Sequence, residues 1–567
     1  MRLTATSSFL CDDDPMTFQT ETSIALRDPA GFANVYSFFA ATAQAFPDRP
    51  FFNVLPETAG IYGITSGELT YGEATGLIES LFVAYRHAGY GKGHRIGLLL
   101  ENRPSFLIHW LALNRLGVSI VPINPDLRAA ELSYLVGHSE MSLAVVLEAR
   151  QRDVAKASAE FGLQVVGPDD SFPRAPEQAK AMSGGFNDEA ALLYTSGTTG
   201  LPKGCVLNNS YFLNCGHWYR FVGGHCALNL AGERMITPLP LFHMNALACS
   251  TMGMIAVGGC LTVLDRFHPR SWWDSVRQSK ATVMHYLGVM PAMLMSAPES
   301  SDDKNHTLRF GFGAGVEERL HAPFEERFGV PLIEAWAMTE TGNGAVVAAS
   351  QDPRHIGTRC FGKPQEDIAV RIELDDGGEA GVDEAGELLV RRKGEKPRYG
   401  FFDRYLKDPD ATKEAWRGGW FHTGDIVRRN ADGTLAFVDR KKNVIRRSGE
   451  NIAAIEVEGV LLRHPQVAGV AVAATPDPVR GDEVFVCVVP SEDFEPERAR
   501  EVAEDIVRWC LEQLAYYKAP GYLAFVQSLP LTSTNKVQRG ELKALVEQLR
   551  AREDTLDLRP LKKRAVA

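Results

Sequence analysis

Between Tyr194 and Gly204 the chain reads Tyr-Thr-Ser-Gly-Thr-Thr-Gly-Leu-Pro-Lys-Gly. Thr195, Ser196, Thr198 and Thr199 supply hydroxyls, Lys203 supplies a positive charge, and Gly197 and Gly200 permit positive φ. Successive backbone N–H groups can then point into one concavity, which suits a polyphosphate. The loop is not of the Walker A type, because Leu201-Pro202 separate the last glycine from the lysine and no Ser or Thr follows it. A second stretch, 334–342, brings Trp336, Thr339 and Glu340 within five residues. These offer a face for a base, a hydrogen bond for a phosphate oxygen, and an oxygen ligand for Mg²⁺.

Other stretches have an ordinary reading when taken singly. Asp425, at the end of 419–425, would be a turn or cap residue. Arg440-Lys441-Lys442 would be a charged linker, and Lys536, in the polar turn 531–539, a solvated lysine. His243 and Asn245, in 238–245, and Gly313-Ala314-Gly315, in 310–315, would be packing residues.

Taken in order, these motifs span roughly residues 35–545, and together they resemble the adenylate-forming superfamily of acyl-CoA synthetases, luciferases and peptide-synthetase adenylation domains. The resemblance implies that Thr195–Gly200 and Lys203 hold the phosphates of ATP, and that Trp336 stacks on the base. It implies that Thr339 contacts the α-phosphate, Glu340 serves Mg²⁺, and Asp425 accepts both ribose hydroxyls, since an ionised carboxylate only accepts. Arg440 becomes a ribose or phosphate contact and Lys442 the interdomain hinge. Gly449 faces the nucleotide after domain rotation and helps form the pantetheine tunnel. Lys536 bridges the carboxylate nucleophile and the α-phosphate. Gly313, Ala314 and Gly315 let backbone approach the adenine and the acyl group. His243 gates an acyl pocket that includes Asn245, Gly288 and Ala337.

The implied activity is that of an AMP-forming acyl-CoA ligase using ATP, Mg²⁺ and CoA, with Lys536, Thr339, Glu340 and His243 as catalytic residues. A carboxylic acid is first adenylated with release of pyrophosphate, and the acyl group then passes to CoA. The alternative is an adenylating enzyme with an amine or carrier-protein thiol as acceptor, although the roughly thirty residues after Lys536 are too few for a carrier domain. The chain most resembles crotonobetaine/carnitine–CoA ligases and neighbouring bacterial ligases. Where that group usually reads Tyr-Gly-Met-Thr-Glu-Thr, this chain has Trp336-Ala337-Met338-Thr339-Glu340-Thr341. The Ala337 methyl narrows the pocket. With His243, Asn245, His285 and Tyr286 nearby in sequence motifs, a short, polar or compact aromatic acid is expected.

These residues need a scaffold of several layers. A chain of 567 residues exceeds one simple core, so two or more domains are expected. Short apolar runs at 95–100, 119–123, 144–147, 164–166, 190–193, 281–287, 308–312 and 331–334 alternate with helical patterns, which predicts parallel sheets with crossover helices. Past Gly362 the runs 368–374 and 386–391 look antiparallel, and Asp432-Gly433 marks a hairpin. A smaller α+β unit follows.

The expected fold is α/β: a large N-terminal domain of two βαβ-type sheets plus a distorted β-barrel, and a small mobile α+β lid. The expected boundaries are 1–30 loosely ordered, 31–439 nucleotide-binding domain, 440–443 hinge and 444–567 lid, with Lys562-Lys563-Arg564 closing a solvated tail. A net charge of −11 argues against a nucleic-acid partner. Nine cysteines without a CxxC pair read as reduced cytoplasmic thiols. The uncharged stretch 245–264 imitates a membrane span, but Gly253 and Gly258-Gly259 divide it into a buried helix and a strand. A homodimer is carried as an expectation from the resemblance.

Overall fold

The structure, a computed structural model, describes residues 28–195, 201–230, 232–440, 444–491, 493–530 and 537–563. Apolar runs flanked by helical segments give two mainly parallel sheets, each with antiparallel pairing at one edge or both, as the alternation predicts for the central strands. One has the strand order Val347–Ala348, Leu332–Trp336, Phe310–Ala314, Val283–Leu287, Arg234–Thr237, Cys260–Val263, Pro50–Val54, Gly67–Thr70. Its six central strands are parallel and its two edge strands antiparallel. The other runs Arg404–Tyr405, Lys203–Asn208, Glu189–Thr195, Ser119–Pro122, Arg95–Leu99, Leu143–Val146, Gln164–Val166.

Helix starts follow local chemistry. Thr70 and Glu73 form a reciprocal capping box that opens Tyr71–Ala88. The 245–264 stretch is a π-turn (Asn245–Ser250), a helix (Thr251–Val257) and a strand (Cys260–Val263), all in the core. Among the described residues no helix is long and apolar enough to cross a membrane.

The expected barrel is a five-stranded antiparallel sheet in the order Cys360–Gly362, Leu435–Arg440, Phe421–Arg429, Ala385–Arg392, Ile368–Glu373. The Asp432-Gly433 turn joins two of its strands, as expected.

The smaller unit has its own sheet, in which Gly481–Pro490 pairs with Val467–Asp477, Val444–Arg447 and Tyr522–Phe525. Helix Ala499–Gln513 buries Val502, Ala503, Ile506, Val507 and Cys510 in this unit's core, at the spacing of one helical face. The tail corrects the sequence reading: Lys562 is not solvated. Its ammonium is buried against Glu483 and also donates to the Tyr517 carbonyl. Glu483 in turn accepts from the Arg447 guanidinium at 2.8 Å, so the segment folds back to complete a buried ion cluster. Lys563 is exposed, and Arg564 lies outside the described residues. All eight cysteines among the described residues are buried and outside any disulfide.

Candidate active site

A cavity of about 1170 Å³ opens between the large domain and the small unit. The C-terminal ends of the parallel strands supply its floor, the usual place for a ligand in such sheets. Thr195 ends one strand and Lys203 begins the next, and the two are register partners across the hairpin that carries the phosphate-loop motif. Ser196, Gly197, Thr198, Thr199 and Gly200 lie outside the described residues. Lys203 faces the cavity, with its ammonium 3.8 Å from Asp408 and 4.8 Å from the centre of the Tyr405 ring.

Glu340 is buried at the cavity wall. One oxygen accepts from the Tyr405 hydroxyl at 2.9 Å and lies 3.4 Å from Thr195 Oγ1. Burial first, and then the Glu340 charge, push the Tyr405 phenol far above its ordinary value, so it stays a donor. Tyr405 gave no signal in sequence because its partner is 65 positions away. Thr339 lines the cavity, and its carbonyl accepts from the Tyr211 hydroxyl at 3.0 Å.

Trp336 and Asp425 also meet here. The indole Nε1 donates to Asp425 Oδ2 at 2.8 Å, so that oxygen already has a protein partner before any ribose arrives. The strand ending in Arg440 places its backbone opposite Asp425. The Arg440 side chain lies outside the described residues, as do Lys442 and Lys536.

The glycine-rich strand end is shaped first by protein–protein contact. A Cβ on Gly313 would stand 2.2 Å from the Tyr286 carbonyl oxygen, and one on Gly288 would stand 1.7 Å from the Gly315 carbonyl oxygen. Glu334, which sequence reasoning left without a role, holds this turn. Its carboxylate accepts from the backbone N–H groups of Gly315 (2.9 Å) and Val316 (3.0 Å) and from the Tyr286 hydroxyl (3.1 Å). Burial raises its pKa, and those donors offset part of the rise.

His243, Asn245, Gly288 and Ala337 line the same cavity as Lys203, Trp336, Glu340 and Asp425. Asn245 opens the π-turn, and its Oδ1 lies 2.7 Å from His285 Nδ1. From the small unit, the hairpin Val444–Arg447/Glu450–Ala453 turns at Ser448 (φ 50°) and Gly449 (φ 91°). Its tip reaches the large domain: Glu450 Oε1 lies 3.3 Å from His243 Nε2, and a Cβ on Gly449 would meet Leu287 at 2.3 Å. Pro530 and Val537, which flank the segment 531–536, line no part of the cavity.

A second bridge crosses the interface. Lys518 of the small unit donates to Glu131 of the large domain at 2.6 Å and to Glu456 of its own unit at 2.7 Å. The backbone N–H of Ala515 adds a bond to Glu131 at 3.0 Å.

Comparison with known proteins agrees with this geometry. The AMP-binding enzyme family matches residues 39–399, and the AMP-binding enzyme C-terminal domain matches residues 456–536. The sulfoacetate–CoA ligase of Cupriavidus necator is 32% identical over 530 residues, covering 91% of this chain and 99% of that protein. The crotonobetaine/carnitine–CoA ligase of Salmonella arizonae is 29% identical over 513 residues, covering 86% of this chain and 96% of that protein. Among solved structures, a malonyl-CoA ligase with methylmalonyl-CoA and AMP bound superposes with a TM-score of 0.69 at 25% identity, covering 85% of this chain and 97% of that one. The o-succinylbenzoate CoA synthetase of Bacillus subtilis gives a TM-score of 0.75 at 23% identity, covering 89% of this chain and 98% of that one. On the strength of both family matches and the full-length relatives, the chain belongs to the AMP-binding enzyme family.

Proposed function

We propose that this protein is an AMP-forming carboxylate–CoA ligase acting on a short, polar or compact aromatic acid. The reading rests on the hairpin tip at Gly449 and Glu450, which enters the cavity beside Leu287 and His243. A carboxylate does not acylate a thiol at neutral pH, because its leaving group would be oxide. Attack on the α-phosphate of ATP replaces that oxide with AMP and releases pyrophosphate. The protein's part is then positioning and charge compensation.

In this reading Lys203 and the phosphate loop hold the β- and γ-phosphates, while Thr339 and Lys536 act on the α-phosphate. Trp336 and Asp425 seat the nucleoside, with the Asp425 carboxylate as the acceptor for the ribose hydroxyls. Glu340 supplies one anionic oxygen beside the hydroxyl of Thr195. A hard cation such as Mg²⁺ is held by one or two carboxylates plus nucleotide phosphates, and Glu340 would be the carboxylate here. Bound there, Mg²⁺ would neutralise phosphate charge.

The thiol step needs a different arrangement, since Lys536 and pantetheine compete for one approach to the carbonyl. The small unit therefore rotates about Lys442 between the two half-reactions. In this reading the hairpin-in orientation serves the second step. The test is pyrophosphate release with ATP, Mg²⁺ and a panel of acids from acetate and crotonate through aromatic acids to palmitate, each with and without CoA. CoA-dependent turnover of a compact acid is expected. Pyrophosphate release indifferent to CoA would move the acceptor elsewhere, and preference for palmitate would overturn the substrate reading.

A further inference from the structure

The π-turn at Asn245–Ser250 is held by side chains that reach back five residues. Ser250 Oγ donates to the Asn245 carbonyl at 3.2 Å, and Thr251 Oγ1 to the Ala246 carbonyl at 2.8 Å. Such turns cost regular helix geometry and concentrate at functional sites. This one projects Asn245 into the cavity and brings Ser250 against a fully buried histidine, His285.

His285 has all its polar atoms engaged. Its Nε2 lies 2.7 Å from the Tyr219 hydroxyl, and its Nδ1 lies 2.8 Å from Ser250 Oγ and 2.7 Å from Asn245 Oδ1. Asn245 Oδ1 can only accept, so His285 Nδ1 carries the hydrogen that faces it. The Tyr219 hydroxyl then donates to Nε2. Burial lowers the His285 pKa to about 3, so the ring is neutral. Tyr219 reaches the ring because position 253 is glycine; a Cβ there would stand 2.7 Å from the Tyr219 ring.

The consequence falls on Asn245. With Oδ1 tied to His285, the face of its carboxamide left for a ligand is the Nδ2 donor. Met244, Cys249, Leu287 and Phe312, which line the same cavity, are apolar or only weakly polar. One oriented amide in an apolar wall is the usual device for fixing how a small ligand lies. A neutral amide does not compensate a second buried anionic charge, so its complement is an uncharged acceptor.

We infer that Asn245, oriented by His285 and Tyr219, is a specificity-determining residue that selects a carboxylic acid carrying an uncharged acceptor oxygen (carbonyl, hydroxyl or ether) on its body, away from the reacting carboxylate. The inference rests on the proposed adenylation reading and deepens it.

The test uses non-reacting acyl-sulfamoyl adenosine mimics, made in pairs that differ only by an acceptor: 4-oxo against 4-methylidene acyl groups, 5-oxo against 5-methylidene, and 4-methoxybenzoyl against 4-ethylbenzoyl. Affinities are measured by calorimetry with the full chain, so no CoA is needed. In at least one pair the oxygen-bearing mimic is expected to bind about 10- to 100-fold tighter. Asn245→Leu brings that ratio close to one. Asn245→Asp keeps an acceptor for His285 while opposing the ligand oxygen with another acceptor, and abolishes the preference without opening a cavity. His285→Phe, which frees the carboxamide, reduces the ratio as well. A ratio near one for every pair in the unmodified protein, or a preference that survives both Asn245 variants, overturns the inference while leaving adenylation intact. Failure of all mimics to bind overturns the adenylation reading itself, and this inference with it.

Discussion

Trp336 Nε1 donates to Asp425 Oδ2 at 2.8 Å, joining an aromatic from the end of a parallel strand to a carboxylate from the antiparallel sheet. The residue expected to stack on the base therefore also orients the residue expected to grip the ribose. Trp336→Phe keeps a stacking face and removes the donor. A hydrogen bond to a buried carboxylate contributes about 1.5–3 kcal/mol. The expected result is a lower urea midpoint in the absence of nucleotide and a KM for ATP raised about 3- to 30-fold. An unchanged midpoint together with an unchanged KM would show that the bond does not orient Asp425.

The bridge from Lys518 to Glu131 exists only while the small unit is docked in the orientation described. Burial alone would push the Lys518 ammonium down, but Glu131 and Glu456 outweigh it and hold it well above its ordinary value. Glu131→Gln leaves Lys518 with Glu456 and weakens the contact across the interface. Single-turnover transfer from preformed acyl-adenylate to CoA should slow about tenfold, whereas ATP–pyrophosphate exchange should change less than about threefold; the basis is the cost of disturbing a buried pair. Equal loss in both half-reactions would mean that Glu131 serves the large domain's own stability.

Lys562 makes stability depend on pH. Burial, reinforced by the Arg447 charge, lowers its pKa from the ordinary lysine value of 10.5 to about 7, and the bond to Glu483 recovers only part of the difference. Between about pH 7 and 10.5 the unfolded chain then holds a proton that the folded chain has released. Stability from this group therefore rises with pH across that window and is absent below it. Thermal unfolding from pH 6.5 to 9 should show Lys562→Met with a flatter rise than the unmodified protein. Parallel pH profiles would sink this reading of the cluster.

Gly288 and Gly315 meet so closely that a methyl on the first would overlap the carbonyl of the second, at 1.7 Å. Gly288→Ala must displace the turn held by Glu334, and overpacking of this kind costs about 1–3 kcal/mol. Gly459, on an exposed helix face with nothing within 4 Å of its missing Cβ, is the matched control, where alanine should be neutral or stabilising. Chemical denaturation of the two variants checks this. A Gly288→Ala protein as stable as Gly459→Ala would refute the close-packing argument.

What the sequence revealed depended on how far apart the cooperating residues lie. Thr195, Lys203, Trp336, Glu340 and Asp425 sit in short motifs whose chemistry is local, and the strand ends around them follow from apolar runs. Tyr405 on Glu340, Glu334 on the Gly315 turn, and Lys518 on Glu131 join residues 65, 19 and 387 positions apart, and no local pattern announces them. The tail departs from its expected solvation for the same reason. A run of basic residues is normally solvated, and only Glu483, 79 positions earlier, draws Lys562 inside. His285 stands in a recognisable stretch, but its role depends on Tyr219 and on the π-turn residues Asn245 and Ser250 meeting it from two other segments.

The burial of the cysteines has a meaning for a protein whose proposed co-substrate is itself a thiol. Mixed-disulfide formation needs an accessible thiolate, and burial pushes Cys226, Cys260, Cys487 and Cys510 up to about 12. Repeated exposure to CoA and its oxidised dimer would thus leave these side chains uncapped. Cys249, which reaches the cavity wall, is the described thiol that such a dimer would meet first.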